Sequence, residues 1–116
     1  DAAIKISKDN NIIVAVTGEV DYVTNGSKVY AIHGGNEMMT KITATGCALT
    51  CLIGAALTSD QDNIVSTANM LGIYSVASEK ASKSSKGPAS LRTELIDTIY
   101  NLTTNEVEKN IKIELI

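Results

Sequence analysis

The stretch Thr43-Ala44-Thr45-Gly46-Cys47 carries the residue types best suited to chemistry. Small side chains let backbone N–H groups approach a ligand closely, and the stretch runs straight into an apolar segment, residues 48–57. A helix starting there offers unpaired N–H groups and about half a positive charge, which makes a ready anion site. The same field favours a thiolate at Cys47, since an unperturbed cysteine has a pKa of ~8.5. An anion hole with a basic or nucleophilic group at its rim is what phosphoryl or acyl transfer requires. The competing reading is packing alone: such junctions use small residues, and cysteine is a small hydrophobe.

Other polar residues carry two readings each. Thr17 follows a β-branched run and either ends a strand or offers its hydroxyl to a ligand. Glu19 and Asp21 alternate along an extended segment, as metal-touching or as solvated carboxylates. His33, the one histidine, would make three zinc ligands with Cys47 and Cys51. A structural zinc site takes four, and this spacing fits no zinc pattern, so no metal site is expected. Cys51 lies one helical turn beyond Cys47 and reads as buried filler. Tyr22 and Tyr30 read as a pair across a hairpin.

These residues need elements to hold them. Residues 1–7 read as the middle or end of a helix, closed by Asn10-Asn11. Residues 12–16 (Ile-Ile-Val-Ala-Val) form a continuous β-branched run, suited to a strand buried on both faces of a parallel sheet. Asn25-Gly26, between Tyr22-Val23 and residues 29–32, signals a hairpin, and residues 33–36 a loop. Residues 48–57 are apolar or small on every side and predict a buried helix. Ser59 reads as the cap of the next helix, with Asp60 and Asp62 suiting its positive end. Ile64, Ala68, Leu71, Ser75 and Ala81 share one face of it, and small residues such as Gly72 allow close packing. Residues 80–86 read as a Ser/Lys-rich connector. Gly87-Pro88 opens a third helix with the stripe Leu91, Leu95, Ile99 and Leu102. Residues 103–110 are polar, a short helical turn, and residues 111–115 alternate as an edge strand. A hairpin and one edge strand cannot flank a doubly covered strand on both sides. The 116 residues therefore read as the later portion of a larger layered α/β domain.

Composition narrows the partners. The net charge is −3 and the ten Lys and Arg are scattered, which argues against nucleic acid. Aromatic residues are four Tyr, with no Phe or Trp, so a base-stacking platform is not expected. No apolar run reaches the ~18 residues a membrane span needs. With two cysteines and no secretory signal in these residues, a reducing, cytoplasmic setting is the default expectation.

Residues 14–23 (Val-Ala-Val-Thr-Gly-Glu-Val-Asp-Tyr-Val), residues 29–35 (Val-Tyr-Ala-Ile-His-Gly-Gly) and residues 40–49 (Thr-Lys-Ile-Thr-Ala-Thr-Gly-Cys-Ala-Leu), in this order and spacing, resemble the hydroxyethylthiazole kinase family. Gly87-Pro88-Ala89-Ser90 and residues 95–100 look like that family's closing helix. The resemblance implies a ribokinase-like α/β fold, three α/β/α layers with a mostly parallel central sheet. Residues 1–116 would be the C-terminal portion of that single domain. It implies transfer of the ATP γ-phosphoryl group to the primary hydroxyl of 4-methyl-5-(2-hydroxyethyl)thiazole, with Mg²⁺, in a homotrimer whose active sites lie at subunit boundaries. It also implies dependence on an N-terminal half that supplies pocket residues, much of the Mg²⁺ shell and a phosphate-contacting arginine. By motif match, Cys47 stands at the catalytic base, and Ala44, Thr45, Gly46 and Cys47 make the anion hole. Ala44 stands at a substrate contact and Thr17 at an ATP contact. Three positions depart from the family: Ala44 replaces the usual first glycine of the loop, and Ala89 and Leu91 stand where the family's Gly-Pro-Gly-Ser-Phe has Gly and Phe. The alternatives are another ribokinase-like enzyme (a hydroxymethylpyrimidine or pyridoxal kinase, or a nucleotide repair hydratase), with Asp more usual in place of Cys47, and a non-catalytic α/β module that oligomerises through small-residue helices.

Overall fold

A computed structural model describes residues 1–59 and 61–116. Helix α1 (Ala2–Asn10) leads into strands β1 (Val14–Val16), β2 (Val20–Thr24) and β3 (Val29–His33). A 3₁₀ helix (Glu37–Lys41) precedes helices α2 (Thr45–Ala56), α3 (Asn63–Ser84), α4 (Pro88–Asn101) and α5 (Thr104–Asn110), and β4 (Lys112–Leu115) closes the chain.

The strands form one sheet in the order β1-β2-β3-β4, and every ladder is antiparallel. The expected mostly parallel sheet is therefore absent from these residues. Parallel neighbours need a crossover of about a dozen residues, whereas Thr17–Glu19 alone joins β1 to β2. The Asn25-Gly26 hairpin is present. Asn25 Oδ1 accepts the Ser27 and Lys28 N–H groups at 3.1 and 2.8 Å, and Gly26 takes φ 88°. Its register differs from the expected tyrosine pair: Tyr22 faces Ala31 and Tyr30 faces Val23. A one-residue slip sends the two rings to opposite faces.

Residues 12–16 were expected to be covered on both faces, but β1 is shorter and lies at the sheet's edge. Ile12 and Val16 are 50% and 47% exposed. Among the described residues only β2 pairs with it, and α1 packs alongside. β4 is the edge strand the alternation predicts, laid against β3.

Helix α3 is the centre of the molecule. It packs on β2, β3 and β4 and carries α2 and α4. Ile64, Ala68, Leu71 and Ala81 are buried, with Val23 and Ile32 opposite in the same core. Close packing explains Gly72: a Cβ there would meet Ile111 Cδ1 at 2.6 Å and Ile113 Cδ1 at 3.1 Å. The cap is Asp62, whose Oδ1 accepts the Ile64 N–H at 3.2 Å; Ser59 instead meets the Ser66 hydroxyl. The expected part of Asp60 lies outside the described residues.

Residues 80–84 are helical, where a connector was expected. Ser82 and Ser84 return their hydroxyls to carbonyls three residues back, and buried Ala81 anchors the turn. Tertiary burial overrides the polar composition. Helix α4 keeps its stripe, with Leu91 and Leu95 buried. Helix α2 is not the buried helix its composition predicts: among its residues only Leu49 is buried. One neighbour, α3, covers one side, and the remaining apolar surface faces outward.

Candidate active site

Three loops meet above α3 around a cavity of about 840 Å³. The first is Thr17-Gly18, just past β1. Gly18 N–H donates to Asp21 Oδ1 at 2.9 Å and ties the turn to the start of β2. Burial pushes the Asp21 carboxyl above its usual range, against the lowering effect of that hydrogen bond.

The second loop is Gly34-Gly35-Asn36. Gly34 takes φ 121° and Gly35 φ 90°. A Cβ on Gly34 would stand 2.7 Å from Glu79 Oε1, so the backbone lies directly on α3. Asn36 Oδ1 accepts the Met38 N–H at 3.0 Å and starts the 3₁₀ helix.

The third is the junction into α2. Ala44 adopts the left-handed conformation, φ 70° and ψ 12°, which costs an alanine roughly 1–2 kcal/mol. Its carbonyl accepts the Ala48 N–H at 3.0 Å, the first helical bond. A Cβ on Gly46 would meet nothing within 4 Å, so this turn has free space beside it. Tyr74, from the middle of α3, donates its hydroxyl to the Thr45 carbonyl at 3.0 Å.

The cavity wall brings Thr17, Thr45 and Gly46 together. Ala44 and Cys47 lie outside that lining; Cys47 is exposed on the first turn of α2. Cys51 is exposed too, which corrects its reading as filler: α2 has no cover on that side. Glu19, Asp21 and Glu37 also line the cavity. Among the described residues no three His, Cys, Asp or Glu come together as a metal site. His33 Nε2 lies 3.7 Å from Glu114 Oε2 of β4. Sequence reasoning missed Gly34, Gly35, Asn36 and Tyr74 as wall residues. Two adjacent glycines were the available signal for the loop. Tyr74 gave none, because an aromatic ring in a helix reads as core.

Residues 1–105 match the family model described as the hydroxyethylthiazole kinase family. The chain is 37% identical to a hydroxyethylthiazole kinase of Moorella thermoacetica, over 97% of this chain and 42% of the relative. It is 43% identical to one of Zea mays, over 99% and 41% respectively. A solved structure of a hydroxyethylthiazole kinase protein from Pyrococcus horikoshii OT3 superposes with a TM-score of 0.92 at 31% identity. It covers 98% of this chain and 44% of that one. The chain thus spans about two-fifths of the length of the curated relatives it matches.

Proposed function

The chain belongs to the hydroxyethylthiazole kinase family, and from that premise we propose that it forms part of an enzyme of thiamine biosynthesis. The enzyme transfers the γ-phosphoryl group of ATP to the primary hydroxyl of 4-methyl-5-(2-hydroxyethyl)thiazole. The observation that carries this reading is the one cavity that unites Thr17-Gly18 with Thr45-Gly46 at the start of α2. Phosphoryl transfer asks for positioning and charge stabilisation more than covalent chemistry. The open side of Gly46 suits a phosphate, whose oxygens take the N–H groups of that turn.

In this reading Thr17 donates its hydroxyl to ATP, and Ala44 borders the thiazole. Cys47 takes the proton of the thiazole alcohol as that alcohol's oxygen attacks phosphorus. Among the described residues no three His, Cys, Asp or Glu gather as a metal site, and in this reading the remaining length of the enzyme supplies much of the Mg²⁺ shell. The same proposal makes residues 1–116 the C-terminal part of one ribokinase-like domain, whose parallel strands lie elsewhere in the enzyme. It makes the assembly a cytoplasmic homotrimer with sites at subunit boundaries. Among the described residues no helix is long and apolar enough to cross a membrane.

The test is turnover by the enzyme completed to its relatives' length. ATP and the thiazole alcohol should give ADP and the phosphate ester in equal amounts. Turnover of a hydroxymethylpyrimidine or pyridoxal in its place would move the chain to a neighbouring kinase. An absent ATP-dependent thermal shift would favour a non-catalytic module.

A further inference from the structure

We propose that Tyr74 is the positioning residue of this site: its hydroxyl, held on the Thr45 carbonyl, fixes where the N–H groups of the first turn of α2 point. The proposal rests on the kinase reading for its catalytic consequence, and on geometry alone for the positioning. Four observations support it. The ring is 7% exposed and belongs to the central core, so the hydroxyl sits on a rigid base. The 3.0 Å bond joins α3 to α2 across 29 residues of sequence. Among the described residues it is the one hydrogen bond that another element gives to this turn. The turn has little else to hold it: α2 starts without a side-chain cap, Ala44 is in a conformation alanine disfavours, and nothing packs beside Gly46.

The bond persists through the neutral range. Burial raises the tyrosine pKa, so the hydroxyl stays protonated and keeps donating. The Thr45 carbonyl also accepts from the amide four residues on, as helix geometry requires. Loss of the tyrosine bond therefore loosens the helix start, while the ring continues to fill the core.

The test is Tyr74→Phe, which removes one oxygen and keeps the ring. Amide hydrogen exchange by NMR, on the enzyme completed to its relatives' length, reads the positioning directly. Exchange at Ala48 and Leu49 should quicken about fivefold, the scale of one lost hydrogen bond, with α4 unchanged. Unchanged exchange at both amides overturns the proposal. Kinetics of the enzyme completed to its relatives' length read the consequence. kcat should fall roughly tenfold or more with KM for the thiazole alcohol held within about twofold, because misplacement acts on the transition state. Tyr74→Phe and Ala44→Gly should be non-additive in kcat/KM, since both act on one turn. A parent enzyme that turns over, with an unaltered kcat in Tyr74→Phe, also overturns it. A parent that does not turn over sinks the kinase reading instead, and the exchange measurement then decides the positioning by itself.

Discussion

At the scale of single residues, the two groups assigned to chemistry sit in different surroundings. Thr17 lines the cavity, whereas Cys47 is exposed on the first turn of α2. As the base, Cys47 should be indispensable: in the enzyme completed to its relatives' length, Cys47→Ala should lower kcat by roughly 10²-fold or more. Cys47→Asp should retain activity, because a carboxylate there also accepts a proton. Steady-state kinetics of both variants decide this, and a near-normal Ala variant would end the assignment. Thr17→Val keeps the shape and removes the hydroxyl. ATP binding should weaken by about 1 kcal/mol, with thiazole affinity unchanged. Titration calorimetry with each ligand separates this from a structural role, which would weaken both. The residue types at positions 43–47 pointed to the junction into α2 without a structure. They could not show that Cys47 stays outside the cavity lining, because a side chain's direction on a first turn depends on how the helix is docked.

Among the elements, α3 decides most of the architecture, and Gly72 is where its fit is tightest. Gly72→Val should destabilise the fold by roughly 2 kcal/mol or more, since overpacking against Ile111 and Ile113 has nowhere to go. Denaturant unfolding of the enzyme completed to its relatives' length measures it, and a neutral result would mean β4 can shift freely. Helix α5 carries a pH dependence. The Glu106 carboxylate accepts from Lys80 Nζ and from the Thr103 N–H and hydroxyl, which lowers its pKa to about 2. A depressed acid contributes its full stabilisation above its ordinary value of 4.5 and loses it as pH falls toward 2. The start of α5 should therefore fray between those values, and Glu106→Gln should remove the effect. NMR titration of the Thr103 and Glu106 amides in the enzyme completed to its relatives' length checks both. The hairpin, the α4 stripe and the terminal edge strand were legible because each rests on local chemistry: Asn25-Gly26, Pro88 and the alternation of residues 111–115. The helicity of residues 80–84 and the exposure of α2 were not. Both depend on which surfaces meet, and the Ser/Lys pattern and the uniform apolarity carry no direction.

For the whole molecule, surface area is the informative quantity. The chain exposes 7189 Å² at 12.2 kDa, against about 6100 Å² for a compact monomer of that mass by area scaling. The excess includes Ile12 and Val16 at the β1 edge and Leu57 beyond α2. The 116-residue chain alone should therefore be molten or aggregated and inactive. Co-expression with the remaining part of the enzyme as a separate chain should restore a soluble, active complex. Circular dichroism melts and a kinase assay of both preparations test this, and a cooperative melt with turnover from the chain alone would refute it. The open edge of β1 also sets a reaction order. Pairing with a second molecule is bimolecular, while pairing with a tethered strand is unimolecular, at an effective concentration in the millimolar range for a short linker. Dilution then selects between the two fates. Micromolar chain tethered to a pairing strand should close that edge within one molecule, and untethered chain at rising concentration should add edge to edge.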